Sequence, residues 1–146
     1  FIWKARRARK LLGGGMRQVG VLAAAGLVAL SDGPEGTVKR LAEDHVNARR
    51  LATEIAALPD VLSPGHIAQP EGERLDPARV TTNFVIFKVT GGIARRTRFL
   101  DALEKRGVLM VAYPHGQIRA VTHYGIGDEE ISKTIAATAA ALTETA

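Results

Sequence analysis

Three stretches of the sequence carry residue types that could do chemistry. In KLLGGGMRQVG, Lys10 to Gly20, three consecutive glycines lie between Lys10 and Arg17. Successive glycines expose backbone amides, and a helix starting after them aims its own N–H groups and positive dipole end at the same spot. The chemistry on offer is anion binding; the alternative is a flexible interhelix turn with solvated basic side chains. In IRAVTH, Ile118 to His123, strand alternation places Arg119, Val121 and His123 on one face and Ile118, Ala120 and Thr122 on the other. An arginine on a short, otherwise apolar strand is costly unless it meets an anion. Its planar fork suits a carboxylate, because it makes two parallel hydrogen bonds. That carboxylate belongs either to a bound substrate or to an internal Asp or Glu. The third stretch holds His45, on the apolar stripe of a long helix, where a hydrogen-bonded packing histidine is the plainer reading than a ligand or catalyst. His66 and His115 fall in loops without evident partners, and no HxxxH, HxH or carboxylate cluster suggests a metal. There is no serine-nucleophile motif and no Walker sequence.

These residues need elements to hold them. Residues 1–12 read as a helix with Ile2, Trp3, Ala5, Ala8, Leu11 and Leu12 as its apolar positions, stopped by Gly13 to Gly15. A second helix is expected from about Met16 to Leu30, rich in Ala and Gly, so that another backbone can approach it closely. Ser31 to Glu35 is a break and a restart. Glu35 to Leu58 reads as one amphipathic helix, about 36 Å long, with Val38, Leu41, Ala42, His45, Ala48, Ala52, Ile55 and Ala56 on one stripe. Residues 60–80 form a loop or a short edge strand, with Pro64, Pro70 and Pro77. TNFVIFKV, Thr82 to Val89, reads as a strand apolar on both faces and so covered on both sides. A helix over Ala94 to Arg106 ends at Gly107. Strands are expected at Val108–Ala112 and Ile118–His123. The last helix starts at an Asp128 cap and buries Ile131, Ile135, Ala139 and Leu142. The order gives an α+β chain: helices, then a small, mainly antiparallel sheet with packed helices.

Composition narrows the function classes. Hydrophobic residues make up 46% and charged residues 24% of the 146 residues, as expected of a globular chain with a real core. No apolar run reaches the roughly 18 residues of a membrane span, which argues against a membrane partner. The absence of cysteine excludes disulfides and thiolate metal sites and fits a reducing, cytoplasmic setting. The net charge of +5 is local: residues 1–17 hold six basic residues and no acidic one, leaving 14 basic against 15 acidic elsewhere. With 5% aromatics there are few stacking platforms, so nucleic acid is not the expected partner. A non-catalytic α+β module with a basic helix is the competing class.

ARRARKLLGGGMRQVGVLAAAGLVAL, followed by RLAEDHVNARRLA, resembles a stretch of low-specificity L-threonine aldolases; TTNFVIFKV and IRAVTHYGI resemble that family's C-terminal domain in the same order. The resemblance implies the C-terminal portion of a type I fold enzyme dependent on pyridoxal 5'-phosphate (PLP). It implies residues 1–33 as the end of the large PLP-binding domain, 34–58 as a connecting helix and 59–146 as a small C-terminal domain. It implies a lyase, an aldolase of amino acid metabolism, cleaving L-threonine or L-allo-threonine to glycine and an aldehyde, and usually a homotetramer. Arg119 then corresponds to the arginine that binds the α-carboxylate of a small-molecule amino-acid substrate, and Lys10 and Arg17 to basic residues near the cofactor phosphate. No catalytic residue is expected within these 146 residues. The Schiff-base lysine of the family lies upstream of the basic helix, and Lys4, Lys10, Lys39, Lys88, Lys105 and Lys133 have no matching context. Many relatives carry an acidic residue after VTH where this chain has Gly125. Another type I fold PLP lyase or racemase is the neighbouring enzymatic alternative.

Overall fold

The computed structural model describes residues 1–65 and 72–146; the expected loop residues His66 and Pro70 lie outside them. The chain divides into two compact units, Phe1–Arg40 and Leu41–Ala146.

In the first unit, α1 spans Ile2–Leu11 and α2 spans Gly20–Leu30. Neither buries a residue: Trp3, Leu11, Leu12, Val21, Leu27 and Val28 are all exposed. A π-type turn, Pro34–Val38, follows. The continuous helix expected from Glu35 is therefore interrupted. Gly36 leaves helical geometry (φ −87°, ψ −122°), and a Cβ there would sit 2.1 Å from the Asp32 Cβ, so only glycine fits the turn. Regular α-helix resumes as α3, Lys39–Ala56, of which residues 41–56 belong to the second unit.

The second unit is a four-stranded antiparallel sheet in the order β1-β2-β4-β3, where β1 is Val61–Leu62, β2 Phe84–Val89, β3 Val111–Ala112 and β4 Ile118–Val121. Two further helices are α4, Gly92–Glu104, and α5, Asp128–Glu144. One side of the sheet is buried. Val61, Val85, Phe87, Val89, Ile118 and Ala120 join Ala48, Leu51, Ala52 and Ile55 of α3, Phe99, Ala102 and Leu103 of α4, and Ile131, Ala141 and Leu142 of α5 in one core. Phe87 and Phe99 meet edge to face, with centroids 6.4 Å apart, the arrangement that aromatic quadrupoles favour.

The other side of the sheet is open. Phe84 is 44% exposed, and Ile86 and Lys88 are half-buried. Coverage of β2 on both sides, expected from its apolar run, is thus not found among the described residues: an antiparallel sheet satisfies its hydrogen bonds within the ladder and can leave one face without helices. Only Val111 and Ala112 of the expected Val108–Ala112 strand pair with β4, because the Val108 N–H turns back to the Leu103 carbonyl (3.1 Å). Asp128 is the first residue of α5 rather than its cap. Glu130 instead accepts from the Gly127 N–H (2.9 Å), while the Asp128 carboxylate pairs with Arg50 (2.5 Å). Ile135 and Ala139 are half-buried, the fully buried positions being Ile131, Ala137, Thr138, Ala141 and Leu142.

A buried arginine ties the helices to the sheet. Arg95 donates to Asp60 Oδ2 (2.8 Å), to the Thr90 hydroxyl, and to the carbonyls of Thr145 (3.0 Å) and Leu142 (3.1 Å) at the end of α5. The Arg95 hydrogen bond, then that of the Thr90 hydroxyl, holds the Asp60 carboxyl below its usual range; partial burial opposes this and the Arg95 charge adds to it. The folded value lies below the unfolded one of about 3.9, so the stabilisation is full above that pH and lost as pH falls through the folded value. The expected result is that Asp60→Asn lowers the melting temperature at neutral pH, and that the gap to the native protein closes on acidification below about pH 4. Thermal melts followed by circular dichroism across that range check it; a gap independent of pH would show that Asp60 acts without its charge.

Candidate functional site

Arg119 lies on the open face of the second unit. β4 is flanked on both sides, and the register sets Arg119 opposite Ile86 of β2 and opposite Val111 of β3. Directly paired residues share a face in an antiparallel ladder, and so do residues two apart along a strand. Phe84 and Tyr113 are therefore the diagonal neighbours of Arg119 on its two sides. The guanidinium carbon lies 5.7 Å from the Phe84 ring centroid and 5.4 Å from that of Tyr113, within cation–π range of both. Arg119 makes no ion pair with any described residue, and its Nε is buried without a hydrogen-bond partner. The internal Asp or Glu that could have occupied it is absent among the described residues. What the arrangement can do is take a carboxylate or another planar anion from solvent.

The hairpin carrying these groups is held firmly. The Tyr113 N–H donates to the Gln117 carbonyl (2.8 Å), and Arg96 Nη1 donates to the carbonyls of Tyr113 (3.0 Å) and Gln117 (3.3 Å). Gln117 is itself buried and donates to the Pro64 carbonyl (2.6 Å). Between Tyr113 and Gln117 the chain turns through His115 in a left-handed conformation (φ 59°), which histidine tolerates better than branched residues do. Thr122, just past β4, donates to the Asp44 carbonyl (2.6 Å) and so anchors the strand end on α3.

The first unit places Lys10 and Arg17 on one open concavity of about 770 Å³, with Arg9 and Gly13 to Gly15. Both are exposed and neither forms an ion pair with a described residue. The glycine amides are less available than the sequence suggests. The Gly13 and Gly14 N–H groups donate to the Lys10 (3.2 Å) and Arg9 (2.8 Å) carbonyls and close the end of α1. Gly14 approaches so closely that a Cβ would lie 2.8 Å from the Arg9 Cγ and 3.0 Å from its carbonyl oxygen. Moreover, α2 begins at Gly20, not Met16, so its N–H groups do not follow the glycines directly. What remains is three cations, Arg9, Lys10 and Arg17, around an open turn, with the charge to hold a phosphate.

The described histidines, His45, His115 and His123, do not assemble into a site. His45 is exposed rather than on the buried stripe of α3, which runs through Asp44, Ala48, Leu51, Ala52 and Ile55; the helix is rotated so that the Leu41 side is exposed as well. His123 is exposed, with Nδ1 against the Tyr124 carbonyl (2.8 Å). Among the described residues no group of acidic and histidine side chains could hold a metal ion, and no helix is long and apolar enough to cross a membrane.

The family model described as beta-eliminating lyase matches residues 1–89. Low-specificity L-threonine aldolase 1 of Arabidopsis thaliana is 35% identical over 137 residues, covering 92% of this chain and 34% of that protein. The probable low-specificity L-threonine aldolase 2 of the same plant is 37% identical over 136 residues, covering 90% and 33%. The low specificity L-threonine aldolase of Escherichia coli K12 is 34% identical over 136 residues, covering 93% and 34%. The chain thus spans about a third of the length of the curated relatives it matches. With a match across residues 1–89 and these relatives along nine-tenths of its length, the chain belongs to the beta-eliminating lyase family and resembles its low-specificity L-threonine aldolases.

Proposed function

We propose that this chain is the C-terminal portion of a PLP-dependent aldolase of type I fold, which cleaves L-threonine, L-allo-threonine and related β-hydroxy-α-amino acids to glycine and an aldehyde. The observation that carries the reading is Arg119: a half-buried guanidinium, unpaired among the described residues, on an open sheet face. In this reading Arg119 takes the substrate α-carboxylate, and Lys10 and Arg17 lie beside the cofactor phosphate. Residues 1–33 end the large PLP-binding domain, 34–58 connect, and 59–146 form the small domain. The lysine that carries PLP belongs to the large domain of the same polypeptide, and the assembly is a cytoplasmic homotetramer.

PLP, when bound, supplies the sink for the electron pair released as the Cα–Cβ bond breaks. The contribution of this chain is positional. Fixing the carboxylate sets which substituent of Cα stands against the cofactor ring, a matter of orientation rather than of proton transfer. The expected result is that the full-length protein, incubated with PLP and L-threonine, releases acetaldehyde and glycine in equal amounts. The beta-eliminating lyase match favours a second reading, a PLP lyase that eliminates at Cβ and releases ammonia. An assay of ammonia beside acetaldehyde decides between them: ammonia without acetaldehyde would overturn the aldolase reading.

A further inference from the structure

We infer that Phe84 and Tyr113 are positioning residues for Arg119, two rings that hold its guanidinium so that the in-plane donors meet a carboxylate edge-on. The inference rests on the proposal that Arg119 takes the substrate carboxylate, and it adds what makes that arginine competent. A guanidinium carries all its N–H donors in one plane and presents two weakly hydrated faces. Here ring centroids lie 5.7 Å and 5.4 Å from the guanidinium carbon, one supplied by β2 and one by the β3 side of the hairpin. Attraction between the cation and the ring quadrupoles holds the group from both neighbouring strands, while its N–H donors meet no hydrogen-bond acceptor among the described residues. An internal carboxylate in their place would hold the side chain equally well but would compete with the ligand. The rings therefore orient the arginine and leave its charge for an incoming anion.

Two features of the same face support an assigned role over incidental packing. Both rings belong to the half-open side of the sheet, Phe84 being 44% and Tyr113 37% exposed, so neither is needed to fill the core. Tyr113 is also fixed from behind: its N–H and carbonyl are both engaged, by Gln117 and by Arg96, and Arg96 has no acidic partner among the described residues. The order of support runs from Arg96 through Tyr113 to Arg119.

The test uses full-length protein with PLP, glycine (the amino-acid product, titrated without aldehyde so that no aldol reaction runs) in titration calorimetry, and L-threonine in steady-state kinetics. Tyr113→Ala is expected to weaken glycine binding and raise KM for L-threonine together, by about five- to tenfold, the scale of one partly desolvated cation–π contact. The turnover number should change less than twofold. Tyr113→Phe, which keeps the ring, recovers most of the loss, and Phe84→Ala behaves like Tyr113→Ala. Combined with Arg119→Ala, the Tyr113→Ala loss disappears, because there is no longer a guanidinium to orient. If instead the two losses multiply, or if Tyr113→Ala lowers the melting temperature while glycine affinity stays as it was, the inference is overturned and the role of Arg119 stands. Glycine affinity unaffected by Arg119→Ala would overturn the underlying carboxylate reading itself.

Discussion

Arg119→Ala in the full-length protein is expected to raise KM for L-threonine by about two orders of magnitude, with a much smaller fall in the turnover number. Truncating one partner of a hydrogen-bonded charge pair costs about 2–5 kcal/mol, and each 1.4 kcal/mol is tenfold. Arg119 is half-buried rather than sealed, so the lower part of that range applies. The effect falls on KM because the α-carboxylate keeps its charge throughout cleavage of the Cα–Cβ bond. An interaction equally strong in ground state and transition state adds to binding, and only the orientation it also gives the scissile bond acts on the chemical step, hence the smaller fall in turnover. Arg119→Lys should recover little, since lysine keeps the charge but loses the planar, two-pronged group that lies near the Phe84 and Tyr113 rings. Steady-state kinetics with acetaldehyde as the readout check this, and an unchanged KM removes Arg119 from the substrate site.

How much of this was legible in the sequence differs from residue to residue, for physical reasons. Arg119 could be singled out because strand alternation is strict, so a charge among apolar positions is visible without a partner sequence. Phe84 and Tyr113 could not, since which residues of β2 and β3 stand beside Arg119 depends on register, and a one-residue slip would have replaced both rings. The helix ends moved for a similar reason: Ser31 to Glu35 and Gly13 to Gly15 marked breaks, but where the helix resumes depends on which backbone groups find partners. His45 shows the limit of reading a stripe from spacing. The stripe of α3 is correct at Ala48, Ala52 and Ile55 but leaves Leu41 and His45 exposed, because the buried face passes through Asp44 instead, where Thr122 meets the helix backbone. Arg95 left a signal that went unread: continuing the helical spacing of Leu103, Ala102 and Phe99 back by four places lands on it, so a charge stands on the buried stripe of α4.

That position carries the second large effect. Arg95→Ala is expected to destabilise the α4–α5 contact by about 3 kcal/mol, a substantial part of the 5–15 kcal/mol of a typical domain. The guanidinium is 9% exposed and serves four acceptors at once: Asp60, Thr90 and the carbonyls of Leu142 and Thr145. Its removal strands the Leu142 carbonyl at the end of α5 and leaves the Thr145 carbonyl only a long bond from Arg98 (3.5 Å). Asp60, 31% exposed, can recover some hydration, which keeps the cost toward the low end for a broken buried pair. Arg95→Lys preserves the charge but reaches at most part of this set, since a single ammonium cannot span acceptors on both α5 and the β1 side. Amide hydrogen exchange on the full-length protein reads the effect where it arises: exchange in the last turns of α5 should quicken by roughly two orders of magnitude. The α1 amides, in the other unit, should keep their rates. A uniform acceleration across both units would mean that Arg95 acts on global stability, and an unchanged α5 would mean that its four hydrogen bonds do no more than replace water.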